Sequence, residues 1–434
     1  MSHGVSRRKP PIVGNDAAGT TPKATTNPPA GGAPQAEFVS PAGAYRRIDT
    51  GTAPAEIRDP GTLVTVPAKR VGSPVGLAES LEQFVFEHAQ YFDSYLATEP
   101  GRQLFWSQDR RGLISYTTRG RYVLVGGGLI APEEHKDALL GEFQAHTSKH
   151  GLRVAFHNIG DGDLPLFRKH GFQVTKWGEE PVVDLEGCTW SGKAFEWVRR
   201  QTNFCLRHGV TAFEVRPEEL EPEHWSRTFA EILEVAKESL SHKPQADEMK
   251  FFEGRIDNHP LGRRRLFVAR SGHGAGRMEG FVVCNPMVGG RRWATELYRH
   301  RTDSVRGTVA FLFHHLMQQM QSEGVDQVGL CLDPGLRIET PLAGDSFLVR
   351  RGLQLAEQFL GPVFDVAGLR HFKGRFRPQF ESRYVCASPN ITIGSLVAFV
   401  RVFGIFNLSY GKLARIAIDR VRKRASRKTL ADAS

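Results

Sequence analysis

The sequence predicts an α+β fold made of two successive units, and three observations predict it. Short runs such as YVLV, RVAFHNI and MEGFVVCNP carry the signature of strands, while longer runs repeat apolar residues at three- and four-residue steps, as helices require. The order of strands and helices that begins near residue 76 recurs, with different residues, after residue 210. At 434 residues the chain is also too long for one ordinary core.

The elements follow in order. Residues 1–75 are rich in Pro, Gly, Ala and Thr, as in TTPKATTNPPAGGAP, and are expected to form a disordered tail. Leu81, Phe84, Val85, His88, Tyr91, Phe92 and Tyr95 then share one helix face. LFWSQ, LISYTT and YVLVGGG read as antiparallel strands joined at DRRG and RGR. A helix is expected over Pro132–His150, stopped by Gly151. Strand RVAFHNI, helix DLPLFRKH, strand FQVTKW and helix SGKAFEWVRRQTNFCLRHG close the unit 76–210.

The unit 211–389 runs through TAFEVR, helix HWSRTFAEILEVAKESL, strands RRLFVARS, MEGFVVCNP and RWATELYR, helix TVAFLFHHLMQQMQSEG, strand QVGLCL and a last strand around RYVCAS. Two such units imply a duplicated acetyltransferase-like sheet. Residues 390–434 follow as an amphipathic helix and basic tail.

Composition narrows the partners. The 57 basic against 47 acidic residues give a formal charge of +10, which favours polyanions such as RNA or anionic lipid head groups. Arg7, Arg8 and Lys9 are not followed by an apolar run, so no secretory signal is expected and the activity should face the cytoplasm. The five cysteines, Cys188, Cys205, Cys284, Cys331 and Cys386, are odd in number and widely spaced, which suits buried thiols rather than a disulfide framework. His157, His300, His314 and His315 make no ligand pattern, so neither a metal nor another cofactor is expected.

Three segments carry candidate chemistry. In ATELYRHRTDSVRGTVAFLFHHLM a strand delivers Glu296, Arg299, His300 and Arg301 to a loop with Asp303 that turns into a helix at Gly307. A carboxylate and guanidiniums beside a helix N-terminus suit an ammonium group and a phosphate; a surface ion-pair cluster is the alternative. A regular strand would put Glu296 and Tyr298 on one face and Leu297 and Arg299 on the other. His300 is the one histidine placed to act as a general base.

The second segment, GLRHFKGRFRPQFESRYV, interleaves Lys373, Arg375 and other cations with aromatics, a pattern for gripping phosphates or for an ordinary half-buried strand. The third is the helix bearing Lys193, Arg199, Arg200 and Arg207, a basic surface for RNA or a domain bridge. Gly126–Gly128 lacks phosphate-loop spacing and reads as a plain turn.

Near the C-terminus, Phe399, Phe403, Phe406, Tyr410 and Leu413 make an apolar stripe, with Arg401, Lys412 and Arg415 mainly off it, and a basic run extends from Arg420 to Lys428. A mid-segment arginine costs roughly 2.5–3.5 kcal/mol on insertion, so docking on an acidic lipid surface is favoured over spanning. The alternative is a helix packed on the protein.

Taken in order, LFWSQDRRGLISYTTRGRYVLVGG, LPLFRKHGFQVTKWGEEPVVDL, SGKAFEWVRRQTNFCLRHG, ELYRHRTDSVRGTVAFLF and FKGRFRPQFESRYV resemble the cytosolic C-terminal domain of bacterial phosphatidylglycerol lysyltransferases, the multiple peptide resistance factor group, over about Leu81 to Val385. The resemblance implies tandem acetyltransferase-like (GNAT-type) domains that move an amino acid from aminoacyl-tRNA to a lipid hydroxyl at the inner face of the cytoplasmic membrane. It implies an aminoacyl pocket lined by Glu296 and Arg299, and it aligns Phe372, Lys373, Phe376 and Pro378 with the family's FK-x-x-F-x-P pattern.

On this reading Glu296, Arg299 and His300 are the catalytic candidates. Arg301, Asp303, Lys373, Arg375 and Arg199 are the substrate-binding ones. The chain departs from the pattern at Glu296, where the family has aspartate, at Ala310, where it has aspartate, and at Gly126–Gly128, where it has a Gly-Asp-Pro turn. The family's multi-helix flippase is not in the sequence. An acyl-CoA-dependent N-acyltransferase and a non-catalytic, membrane-tethered RNA-binding protein are the alternatives.

Overall fold

The computed structural model describes residues 74–241, 254, 262–274 and 276–404. The expected tail, apart from its last two residues, and the stripe and basic run beyond Gly404 lie outside them. Helix α1 (Pro74–His88) and a 3-10 turn (Ser94–Thr98) lead into β1 (Gln103–Trp106), β2 (Leu113–Arg119) and β3 (Tyr122–Val125). Then come α2 (Lys136–Lys149), β4 (Arg153–Gly160), α3 (Leu164–Lys169), β5 (Gln173–Asp184) and α4 (Glu196–Arg207). Gly151, at φ +65°, follows the α2 cap where left-handed backbone is needed.

The later half contains β6 (Thr211–Val215), α5 (Pro222–Ser241), β7 (Arg265–Arg270), β8 (Met278–Met287), β9 (Arg292–His300), α6 (Thr308–Ser322) and β10 (Gln327–Gly329). It ends with β11 (Asp333–Pro334), α7 (Phe347–Phe364), α8 (Val366–Gly374), β12 (Gln379–Ser388) and α9 (Ile393–Phe403).

All twelve strands among the described residues join one mixed sheet, in the order β1-β2-β3-β4-β12-β5-β10-β9-β8-β7-β6, with β11 beside β5. The two halves follow the same rule. Antiparallel strands come first, then a helix returns the chain to a parallel neighbour: α2 sets β4 beside β3, and α6 sets β10 beside β9. Their last long strands are exchanged, since β5 pairs with β10 while β12 pairs with β4, and the two pair with each other. The sheet therefore runs without a break past residue 210.

Alternation along β8 explains why it is buried throughout. Val282 and Cys284 face a core under α6 with Phe311, Phe313, Leu316 and Met317, whereas Phe281 and Val283 face Ile232 and Val235 of α5. Burying each such side chain contributes about 1.5–3 kcal/mol.

Three register shifts break the alternation near the middle of the sheet. Thr295 and Glu296 of β9 together oppose Cys284, His157 and Asn158 of β4 together oppose Val385, and β5 gains Trp177 where β12 runs from Arg383 to Tyr384. Bulges of this kind re-aim side chains. The regular alternation expected through Glu296 is thus interrupted there.

The segment after α1 covers the same region. Val288 donates its N–H to the Ala89 carbonyl at 2.7 Å, and Asn285 Nδ2 donates to the Phe92 carbonyl at 3.3 Å. Gly127 sits at φ +80°, and a Cβ there would lie 2.6 Å from Ser94 Cα, so the glycine turn after β3 is required by this close approach.

The start of the C-terminal helix differs from its expected role. Phe399 and Phe403 are buried against the sheet, where Phe399 lies 4.9 Å from the His157 ring and 5.2 Å from Trp177. Two β-strand faces supply an apolar partner that the sequence could not display. The described part of the stripe therefore packs on the protein, and the exposed apolar residues of α9 are Ile393 and Val397. No described helix is long and apolar enough to cross a membrane.

Candidate active site

Strands β9 and β10 are parallel only as far as the pair Ala294–Gly329. Beyond it β9 continues to His300, whereas the chain after β10 turns away to pair Asp333 with Glu179 of β5. The site lies in this divergence. Glu296 is buried at the β9 bulge, and its Oε1 accepts the Gly254 N–H. Cys331 bridges the gap, its thiol donating to the Thr295 carbonyl at 3.5 Å.

Lys373, buried at the end of α8, reaches the other side of Cys331. Its ammonium donates to the Cys331 carbonyl at 3.0 Å and to Asp333 Oδ1 at 2.5 Å. Cys331 thus links Lys373 to Thr295, the residue that precedes Glu296 on β9. Burial pushes the Cys331 thiol well above its ordinary range; Glu180, Glu296 and Asp93 push the same way, and Lys373 pulls against them. The thiol stays protonated, which suits a packed spacer and not a nucleophile.

Arg299 is also buried, with Nη1 donating to the Tyr298 carbonyl at 2.9 Å. His300 stands at the exposed end of β9, its Nδ1 2.8 Å from the Arg301 carbonyl oxygen. Arg301 is committed to the fold: Nε donates to the Met278 carbonyl at 2.8 Å, Nη1 to Glu238 at 2.9 Å and Nη2 to Glu234 at 3.0 Å, fastening α5 to the end of β9. Asp303 is exposed and pairs with Arg277 at 3.0 Å.

Arg375 and Arg199 lie elsewhere, each against a different tryptophan. Arg375 lies over the Trp197 ring at 5.6 Å, and Arg199 donates to the Trp190 carbonyl at 3.0 Å. Arg200 of α4, Lys193 just before it and Arg377 after α8 are exposed, and Arg377 donates to the Ala194 carbonyl at 3.2 Å. Of the predicted residues, Glu296, Arg299 and Lys373 are buried in the sheet, His300, Arg301 and Asp303 lie at the end of β9, and Arg199 and Arg375 lie apart from both.

Sequence reasoning misses the polar groups across the sheet. A cleft of about 670 Å³ opens between Tyr91, Lys136, Asp163, Arg292, Glu381 and Arg383. Lys136 is buried and donates to Asp163 at 2.7 Å. Arg383, over the Tyr91 ring at 5.6 Å, donates to Glu180 at 2.6 and 2.9 Å, so Glu180 lies just behind the cleft wall. Behind it too is Asp93, which accepts from Asn158 Nδ2 at 2.8 Å. Burial pushes the Asp93 carboxyl up to about 6, against the pull of that hydrogen bond. The available signal was polarity inside strand patterns: Asn158 in RVAFHNI and Glu179–Glu180 in VTKWGEEPVV.

Residues 82–387 match the family model described as "Phosphatidylglycerol lysyltransferase, C-terminal". A phosphatidylglycerol lysyltransferase of Bacillus subtilis (strain 168) is 24% identical over 314 residues, covering 72% of this chain and 35% of the relative. One from Staphylococcus aureus (strain MRSA252) is 23% identical over 316 residues, covering 71% and 35%. The matched part of the chain thus spans about a third of the length of these curated relatives.

Two solved structures share the fold. The C-terminal domain of a putative lysylphosphatidylglycerol synthetase from Agrobacterium fabrum superposes with a TM-score of 0.63 at 22% identity, covering 75% of this chain and 96% of that one. The structure of L-PGS from Bacillus licheniformis does so with a TM-score of 0.62 at 24% identity and the same coverage.

Proposed function

The chain belongs to the phosphatidylglycerol lysyltransferase C-terminal family, and we propose that it transfers an amino acid from aminoacyl-tRNA to the hydroxyl of a membrane lipid such as phosphatidylglycerol. The observation that carries this reading is the link that Cys331 makes between Lys373 and Thr295, next to buried Glu296, in the divergence between β9 and β10.

The aminoacyl ester is already activated, so the protein has chiefly to position and to stabilise charge. Glu296, a buried carboxylate, receives the donor's α-ammonium. The lipid hydroxyl oxygen attacks the ester carbonyl carbon, the bond to the tRNA ribose oxygen breaks, and the hydroxyl proton ends on that oxygen. Lys373, pinned by Asp333, and buried Arg299 supply the positive charge that the developing oxyanion or a substrate phosphate needs. His300 is the proton acceptor in this reading, with its Nδ1 facing the Arg301 carbonyl and its other ring nitrogen left to serve.

The basic surface with Lys193, Arg200, Arg375 and Arg377 suits the tRNA backbone. Exposed Ile393 and Val397, followed in sequence by the run Arg420–Lys428, suit a peripheral position on the inner face of the cytoplasmic membrane. The test is transfer from charged tRNA to phosphatidylglycerol vesicles by the full chain and by Glu296→Ala. A loss on the order of 100-fold is expected, and full retention would overturn the assignment.

A further inference from the structure

Strands β3 and β4 are parallel only as far as the pair Val125–Phe156. Beyond it the chain after β3 enters the turn with Gly127, and β4 enters the bulge in which His157 and Asn158 together oppose Val385. The His157 side chain closes the end of this ladder. Its Nδ1 lies 3.2 Å from the Val125 carbonyl oxygen, and because a carbonyl can only accept, the ring proton sits on Nδ1. Burial pushes the imidazole down to about 4, so the ring is neutral at pH 7 and this hydrogen bond uses its one N–H.

The two chain segments that the ring joins each deliver a donor to Asp93. Next to His157, Asn158 stands at φ +65°, left-handed backbone that asparagine tolerates, and its Nδ2 donates to Asp93 Oδ2 at 2.8 Å. Two residues after Val125, the Gly127 N–H also donates to the Asp93 carboxyl. The bulge thus aims adjacent side chains opposite ways, His157 toward α9 and Asn158 toward the segment after α1. On the α9 side Phe399 stacks on the imidazole at 4.9 Å, with Phe403 at 5.6 Å and Trp177 at 6.1 Å. His157 is 3% exposed, so its hydrogen bond is shielded from water and costly to lose.

We infer that His157 is a positioning residue of the site: by joining the ends of β3 and β4 beneath α9, it sets the two donors, Asn158 and Gly127, that hold the Asp93 carboxylate. Asp93, Glu180 and Glu296 act together on the Cys331 thiol, so the charge on Asp93 is felt where β9 and β10 diverge. Glu180 and Arg102 act on Asp93 as well. The C-terminal helix, remote in sequence from Asp93, therefore reaches the site through one ring. Its bearing on catalysis rests on the transfer reading above, and the link itself does not.

The experiment follows Asp93 with pH in the wild type, His157→Leu and His157→Asn, as the difference in melting temperature between each chain and the same chain carrying Asp93→Asn. Leucine keeps the apolar bulk and removes the donor, whereas asparagine loses ring packing but puts an amide N–H where Nδ1–H was. In the wild type the difference should level off near pH 6. In His157→Leu that point should rise by about one pH unit, as losing a charge-assisted hydrogen bond allows, and in His157→Asn it should stay within about 0.3 unit of the wild type. Packing alone predicts the other order, since the asparagine variant is then the more disturbed. A point that follows stability rather than the N–H, or that moves in neither variant, would overturn the inference. The wild type supplies a check that misfolding cannot blur: nitrogen NMR should show a neutral imidazole protonated at Nδ1 at pH 7, and a proton on Nε2 would overturn the inference too. Transfer to vesicles is read separately. An Asp93 response that tracks the N–H without aminoacylated lipid from any chain keeps the role of His157 and refutes the transfer reading, and lipid product with a response that ignores the N–H does the reverse.

Discussion

The Lys373 ammonium lies 2.5 Å from Asp333 Oδ1, a pair in which both side chains are buried. It ties the end of α8 to the strand that leaves β10, and so fixes the distance between the FKGRF segment and the divergence that holds Glu296. Helix α8 reaches this position because Phe372 and Phe376 pack against Phe313 of α6 at 5.5 and 5.7 Å.

Removing Lys373 therefore has two separable effects. Lys373→Met should lower thermal stability by about 3–5 kcal/mol, because Asp333 is left as an unpaired buried charge. Lys373→Met with Asp333→Leu should recover most of that loss. Transfer should remain down on the order of 100-fold in both, measured from charged tRNA to vesicles.

Arg301 should behave as a structural residue. Its guanidinium is tied to Glu234, Glu238 and the Met278 carbonyl. Arg301→Ala is expected to cost about 2–3 kcal/mol, at the low end for a buried pair because Glu234 is largely exposed. The Michaelis constant for charged tRNA should change less than about threefold. A large change in that constant at unchanged melting temperature would return Arg301 to the substrate.

Asp93 makes stability depend on pH. Its folded value of about 6 lies above the ordinary 3.8, so the folded state holds the proton more tightly. The groups acting on it are Glu180, the Asn158 amide, the Gly127 N–H and Arg102, which burial makes easier to deprotonate. Stability from this group is greatest below pH 4 and falls as pH rises toward 6, by at most about 3 kcal/mol. Asp93→Asn should accordingly raise the melting temperature at pH 7.5 and leave it nearly unchanged at pH 4.

The two faces of α9 should separate. Phe403→Ala removes a fully buried ring and is expected to cost about 3–5 kcal/mol. Ile393→Ser with Val397→Ser should leave stability within about 0.5–1 kcal/mol and weaken sedimentation with anionic vesicles.

Element type was legible wherever a period was sustained, as in α6, α5 and β8, because one face of each repeats over many residues. The glycine after α2 was legible for the same reason: a single residue carries the whole signal. The exchange of β5 and β12 was not, since pairing partners distant in sequence leave no local pattern. Glu296 and Lys373 were singled out through the motif resemblance, but the link between their segments at Cys331 depends on a bulge and on the β9–β10 divergence. Arg301 and Glu296 read alike in ELYRHR, yet one is tied to α5 and the other is buried at the β9 bulge. Asp93, Asn158 and Asn285 were missed because a lone polar residue in an apolar run looks the same whether it meets water, a partner or a ligand. Phe399 and Phe403 show the converse, since an apolar stripe does not say whether protein or lipid covers it.

The most direct test is lipid mass spectrometry of cells expressing the 434-residue chain, with the Glu296→Ala variant beside it. The account predicts a new lipid whose mass equals an acidic phospholipid plus one amino-acid residue, present with the wild type and strongly reduced in the variant. An unchanged lipid profile with well-expressed wild-type protein, or equal product from both chains, would contradict it.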